Sequence, residues 1–220
     1  MTILNSNLEA AFGTPIWAAE LSPMTDEEIE LIKNLPYVPV PGHRSGEPKT
    51  TKHTVETYLL HREPDLARLR AEIESAVEYY WHNILCVVEQ TKIEHRHSWV
   101  TKHVTGDSNS WHQNNNALIT SILYVQAPEN SGDLIFRKDA NLCNLFPNIM
   151  EMQFHTYKTY NNREYHITPR NNLLVLAPAQ IEHCITKNLN SQDRYALVAD
   201  WWPAGVTGHG IDGGYFEHPL

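Results

Sequence analysis

Residues 117–138, ALITSILYVQAPENSGDLIFRK, decide how this chain folds. ALITSILYVQ is a run of β-branched and apolar residues, APENSGD gathers the residues that make turns, and DLIFRK resumes the apolar pattern. The stretch reads as strand, turn, strand. Downstream, EYHITP (164–169), NLLVLAP (172–178), EHCITKN (182–188) and RYALVADWW (194–202) repeat that grammar, separated by turn clusters such as PRNN and NLNSQD. Upstream, KIEHRHSWVTKHVTG (92–106) alternates in the manner of a strand. Six or more short strands with no helix between them exclude a parallel βαβ arrangement and predict an antiparallel sandwich or jelly-roll barrel.

Helical signals fall before the strands. Thr25-Asp26-Glu27-Glu28 is a capping box that starts a short helix carrying Ile29, Leu31, Ile32 and Leu35 and stopped by Pro36. PDLARLRAEIESAVEYYWHNIL (64–85) opens on a first-turn proline and spaces Leu66, Leu69, Ile73, Val77, Tyr80 and Ile84 at helical steps. Its apolar stripe requires a flat partner, which a sheet supplies. The fold class expected is therefore mostly β with flanking α-helices. We read one domain over 1–220: an N-terminal strand (TPIW) and supporting helices over 1–90, a β core over 91–204, and a Gly-rich tail over 205–220. Residues 38–54 read as a loop, a connection or lid, and 139–163 as an irregular insertion between strands.

Composition narrows the function. The 220 residues carry a formal net charge of −9 with no block of like charges, against a nucleic-acid or anionic-membrane partner. No apolar run reaches the ~18–20 residues that span a bilayer, and the N-terminus lacks the pattern of a signal peptide. Three cysteines, Cys86, Cys143 and Cys184, without CxxC spacing argue against a disulfide framework or thiolate zinc site and for a reducing, cytoplasmic setting. The tail GVTGHGIDGGYFEHPL has the wrong context for a phosphate loop.

Among 13 histidines, two stand where chemistry is expected. His112, in SWHQNNN, precedes the buried run at 117–126; a side chain two residues on, at Asn114, would share its strand face. His183, after the proline-marked turn APAQ, begins another apolar strand, and Arg194 begins the next. Two imidazoles plus one carboxylate on one face of an iron leave positions open for a co-substrate and oxygen. A guanidinium nearby holds a carboxylate bidentately. A rival metal grouping is HRH, where His95 and His97 share a strand face and His103 has the same parity; alternating His, Trp and Lys there equally describe a wetted sheet face. Trp201 and Trp202 are expected to close the barrel core, and Glu182 to point away from the site beside His183.

The pattern WHQN…SILYV…SGDLIF…NLLVLAP…EHCI…DRYALVADWW resembles the double-stranded β-helix (jelly-roll) core of the Fe(II)/2-oxoglutarate-dependent oxygenases, and among them the compact prolyl-hydroxylase-like and phage-type members. FGTPIW (12–17) and the aromatic-rich SWVTKHVTGDSNSWH (98–112) are similar to the family's lead-in elements. The resemblance implies an oxidoreductase, a dioxygenase that hydroxylates, with Fe(II) and 2-oxoglutarate as cofactors and a small-molecule or peptidyl substrate. It places metal ligands at His112 and His183, the co-substrate anchor at Arg194, an assisting hydroxyl at Tyr124, and a glycine-containing turn at Gly132-Asp133-Leu134. The departure is Asn114, where the family carries Asp, Glu or a second His. Either Asn114 binds iron weakly, or it stands aside to leave a two-histidine site as in the halogenating relatives, or the site is dead and the pocket only binds. Asp107 and Asp133 are candidate substitute carboxylates. A non-catalytic barrel derived from such enzymes is the alternative of a different class. A cupin-like metal-dependent isomerase or lyase would need an HxH-x-glutamate cluster that the chain lacks, and a structural jelly roll would have no use for buried His and Arg.

Overall fold

The computed structural model describes residues 13–40, 51–137, 155–158, 161–207 and 216–218. Cys143, most of the 139–163 insertion, the centre of the 38–54 loop and most of the Gly-rich tail lie outside the described residues.

Two antiparallel sheets face each other. The larger contains β1 (Trp17–Glu20), β2 (Tyr37–Pro39), β3 (Lys52–Thr54), β4 (Thr91–His103), β6 (Ile119–Gln126), β9 (Leu173–Pro178), β11 (Arg194–Thr207) and β12 (Phe216–His218). Its order is β1-β9-β6-β11-β4-β3-β2, with β12 on β11. The smaller runs β5 (Asn109–His112), β10 (Glu182–Ile185), β7 (Leu134–Arg137), β8 (Glu164–Ile167). This is the jelly-roll architecture that the spacing of turns predicts. The ends of the 38–54 segment are not loop: Val38 pairs with His53, and His53 with Thr101, so β2 and β3 extend the edge of the large sheet.

The helices cover one face of the large sheet: α1 (Asp26–Asn34), the short α2 (Leu59–Arg62) and α3 (Ala67–Tyr79). The capping box is formed, Thr25 Oγ1 accepting from the Glu28 amide and the Glu28 carboxylate from the Thr25 amide. The helix expected over 64–85 divides into a 3-10 turn (Pro64–Leu66), α3, and a π-helical turn (Tyr80–Ile84). Tyr80 and Trp81 are both buried, the first donating to Pro15 O and the second to Thr91 O. Adjacent positions diverge on a regular helix, and the wider turn brings both rings inward.

Strand parity separates two cores. Ile119, Leu123 and Val125 of β6, Leu174 and Leu176 of β9, and Leu197, Ala199 and Trp201 of β11 pack under the helices with Ile32, Leu69, Ile73 and Val77. The intervening residues, Ile122 and Tyr124, Leu173 and Val175, Ala196 and Val198, face the small sheet's Leu134, Phe136, Ile167 and Ile185 inside the barrel. Burial on both sides explains why these strands read as unbroken apolar runs. Trp201 therefore packs on the helix side, not in the barrel, and Trp202 is 37% exposed, because consecutive strand residues point oppositely.

Candidate functional site

β5 and β10 set the two site histidines side by side. His112 and His183 are register partners, and their ring centroids are 4.3 Å apart. Each Nδ1 lies on a carbonyl two residues upstream, His112 on Ser110 O at 2.8 Å and His183 on Ile181 O at 3.1 Å. A carbonyl only accepts, so each ring carries its proton on Nδ1 and its lone pair on Nε2. Burial, reinforced by the neighbouring His112, pushes the His183 pKa down to about 4 and keeps the ring neutral, the form a metal requires. Phe136 backs the His183 ring at 5.8 Å between centroids. A small cavity beside it is lined by Thr120, Ile122, Phe136, Val175, Ala177, Pro178 and His183.

Asn114 is not two residues further along the same strand. β5 ends at His112 and β6 begins at Ile119, and the connection turns through Asn116 at φ 62°. The Asn114 amide nitrogen nevertheless reaches the barrel, donating to Thr120 Oγ1 and to Asp200 Oδ1, each at 3.1 Å. Thr120 also donates to Asp200 Oδ1 at 2.9 Å. Burial raises the Asp200 pKa, opposed by the hydrogen bonds from Thr120 and Asn114. Asp200 is the acidic group the sequence reading missed. RYALVADWW reads as uniform core, yet Asp200 shares parity with Arg194, Ala196 and Val198 on the barrel face, the signal that could have found it. Of the two substitutes expected, Asp107 instead accepts from the Val104 amide within its own turn, and Asp133 sits at the β7 turn, its amide donating to Thr186 Oγ1.

Arg194 is fully buried, and its guanidinium lies 5.5 Å over the Tyr124 ring. Nη1 donates to Gly132 O at 3.1 Å. Gly132 is at φ 98°, and a Cβ there would meet Thr186 O at 2.2 Å, so only glycine presents that carbonyl to the arginine. Among the described residues, Arg194 Nε and Nη2, Tyr124 Oη and both ring nitrogens of His103 have no hydrogen-bond partner. Burial lowers the Arg194 pKa and raises that of Tyr124; burial first and the adjacent Arg194 second hold His103 well below its ordinary value. A buried cation beside unpartnered donors is costly alone and is relieved by an anion. The residues present fit a carboxylate-bearing co-substrate.

The rival HRH grouping does not form. Asp200 pairs with His97 and Trp201 with His95, so Arg96 is bulged out and the strand's parity switches. His95 packs on Trp201 on the helix side, its ring 4.4 Å from that of His61, while His97 meets the Tyr58 hydroxyl at 3.3 Å. His103 is the register partner of Arg194 and lies with it, away from His95 and His97. Among the described residues no group of three His, Cys, Asp or Glu side chains is placed to hold a metal. A wide open pocket of about 550 Å³ lies at this rim, lined by Tyr58, His61, His95, Arg96, His97, Asn116 and Trp202. On the outer face Glu182 pairs with Arg137, as its parity predicts.

Residues 97–200 match a family described as "Putative 2OG-Fe(II) oxygenase". None of the curated protein sequences matches the chain. Solved structures are similar in fold. The non-heme alpha ketoglutarate dependent epimerase SnoN from nogalamycin biosynthesis has 12% identity over 91% of this chain and 83% of its own, with a TM-score of 0.60. HygX from Streptomyces hygroscopicus, solved with nickel, 2-oxoglutarate and hygromycin B, has 15% identity over 94% of each chain and a TM-score of 0.57. A prolyl hydroxylase from Trichoplax adhaerens, in complex with a hypoxia inducible factor peptide, has 14% identity over 80% of this chain and 75% of its own, with a TM-score of 0.53. At these identities the likeness is one of fold, and it agrees with the resemblance read from the sequence motifs.

Proposed function

We propose that this chain, similar over 97–200 to the 2OG-Fe(II) oxygenases, is an Fe(II)- and 2-oxoglutarate-dependent dioxygenase that hydroxylates a small-molecule or peptidyl substrate. The observation that carries the reading is the His112–His183 pair, rings 4.3 Å apart with both Nδ1 atoms on carbonyls, in a barrel that also buries the unsatisfied Arg194. His112 Nε2, His183 Nε2 and the Asn114 carbonyl oxygen would hold the iron. Arg194 and Tyr124 would hold the far carboxylate of 2-oxoglutarate, with His103 beside them. When bound, Fe(II) would provide the place where oxygen is activated, and 2-oxoglutarate, oxidised to succinate and CO2, would supply the electrons that ready the oxygen for attack on a C–H bond.

The chain's residues do the rest. The carbonyls of Ser110 and Ile181 fix both imidazoles in one tautomer and so remove a choice the metal would otherwise have to make. Phe136, Ile122 and Val175 keep water from the interior beside His183. Tyr124, its phenol kept protonated by burial, donates to an anion without competing for the guanidinium. The rim pocket of Tyr58, His61, His97, Asn116 and Trp202 offers aromatic and imidazole surface for substrate, next to the strand pair that carries Asp200.

A second reading, a barrel that binds an anion without catalysis, is favoured by Asn114 being neutral and engaged with Thr120 and Asp200. One experiment separates the two. Anaerobic Fe(II) plus 2-oxoglutarate should give the weak visible charge-transfer band, followed by oxygen-dependent succinate formation, and both should vanish in His183→Ala. Binding of 2-oxoglutarate with neither the band nor succinate would leave the binding-protein reading standing.

A further inference from the structure

We propose that Asp200 supplies through Asn114 the negative charge that position 114 lacks, and fixes which end of the Asn114 amide faces the metal; Asp200 is thus a positioning residue, and the inference rests on the metal site assigned above.

The geometry is a closed triangle. Asn114 Nδ2 donates to both Thr120 Oγ1 and Asp200 Oδ1, each at 3.1 Å. The Thr120 hydroxyl directs its own hydrogen to Asp200 Oδ1 at 2.9 Å, so toward Asn114 it can only accept. An ionised carboxylate also only accepts. Both partners therefore demand the nitrogen end of the amide and repel the oxygen end. The nitrogen end is held by these two acceptors, and Oδ1 is left as the one donor atom able to reach a cation, since an amide nitrogen has no available lone pair. Thr120 lines the same cavity as His183, which places this triangle against the proposed metal position.

The triangle is built into the sheet. Thr120 and Asp200 are register partners on β6 and β11, and Asp200 is only 5% exposed. An acid buried to that extent is expensive unless its charge is used. Hydrogen-bonded to a carboxylate, an amide polarises toward its oxygen, so Asn114 becomes a stronger oxygen donor than a free asparagine. The charge that a carboxylate ligand would place on the metal lies instead one hydrogen bond behind it.

A charge swap tests this on the apo protein, with anaerobic Mn(II) as the probe, bound metal read by electron paramagnetic resonance and folding by melting temperature. Asp200→Asn should weaken Mn(II) binding at least tenfold while the apo protein still melts cooperatively. Asn114→Asp alone sets two acids at hydrogen-bonding distance and should lower the apo melting temperature, with Mn(II) restoring it. The double variant Asn114→Asp/Asp200→Asn moves the charge one position forward, keeps the hydrogen bond, and should bind Mn(II) at least as tightly as wild type. A merely structural Asp200 would give no such recovery. Wild-type affinity in Asp200→Asn, or a double variant no better than Asp200→Asn, would overturn the inference while leaving the metal site in place. Folded wild-type and double variants that both fail to bind Mn(II), indistinguishably from His183→Ala, would remove the metal site and this inference with it.

Discussion

The two faces of β11 differ by one residue in register and by nearly everything in chemistry. Toward the helices it presents Leu197, Ala199 and Trp201, with the Trp201 indole donating to Ser121 Oγ. Toward the barrel it presents Arg194, Ala196, Val198 and Asp200, and two of these four are buried charges. The first face is a core whose partners are all supplied by the chain. The second holds an arginine with two nitrogens unsatisfied among the described residues, opposite a tyrosine hydroxyl unsatisfied in the same way. Stability and function are divided between the sides of a single strand, and substitutions should divide in the same way.

The largest stability effect belongs to the helix side. Leu197→Ala leaves a hole among Ile73, Leu123 and Trp201's neighbours in that core and should cost about 2–5 kcal/mol in denaturant unfolding. Binding of 2-oxoglutarate by the fraction still folded should be unchanged. Arg194→Met should do the reverse. It removes a buried unpaired cation while keeping volume, so the apo protein should lose little stability or gain some, whereas 2-oxoglutarate affinity, measured by calorimetry with Mn(II) present, should fall on the order of a hundredfold. If Arg194→Met instead unfolds the apo protein and leaves affinity intact, the division between faces is wrong.

Acid should act on both faces through buried histidines, His95 on the helix side and His183 with His103 in the barrel. Burial depresses the pKa to about 4 in His95, helped by His61, and to about 4 in His183, helped by His112. In the unfolded chain both rings take up protons near pH 6.5, so between pH 6.5 and 4 the unfolded state binds more protons than the folded one. Apo stability should be full above pH 6.5, fall as pH drops toward 4, and owe nothing further to these rings below that. The upper bound is about 3 kcal/mol for each ring. Mn(II) should suppress the His183 share and leave the shares of His95 and His103, so the metal-independent part of the pH dependence of chemical denaturation that His95→Gln removes identifies the helix-side ring.

Most of the fold was legible because the apolar runs and turn clusters are dense: every strand expected from 92 to 202 has a counterpart in β4 and in β6 to β11. His112 and His183 were legible because each stands at the edge of such a run. Three features were not. The bulge at Arg96 leaves no mark in the alternation of EHRHSWV, so His95 and His97 read as sharing a face that they do not share. The NNN turn hides which amide reaches inward, since asparagine suits a left-handed turn and a cavity equally. Asp200 is silent because a strand buried on both faces has no polar side against which one acid stands out.

The smallest expected effect lies behind the histidines. Arg137, on β7, pairs with Glu182 at 2.6 Å and stacks 4.2 Å from the Trp111 ring. Glu182 adjoins His183 and Trp111 adjoins His112, so this cluster ties β5, β10 and β7 together on the face away from the site. Arg137 and Glu182 are each more than a third exposed, and water screens the pair, leaving it worth between nothing and about 1 kcal/mol in stability. Its effect on function should exceed that, because β5 and β10 share only two register positions, with an irregularity between them. A four-residue strand held that sparsely lets His112 drift when its lateral tie is cut. Arg137→Ala should therefore leave the melting temperature nearly unmoved while Mn(II) affinity drops a few-fold, and Arg137→Lys, which keeps the charge but loses the flat stacking on Trp111, should fall between it and wild type. Equal affinities in all three would mean that the imidazoles are held by Ser110 and Ile181 alone.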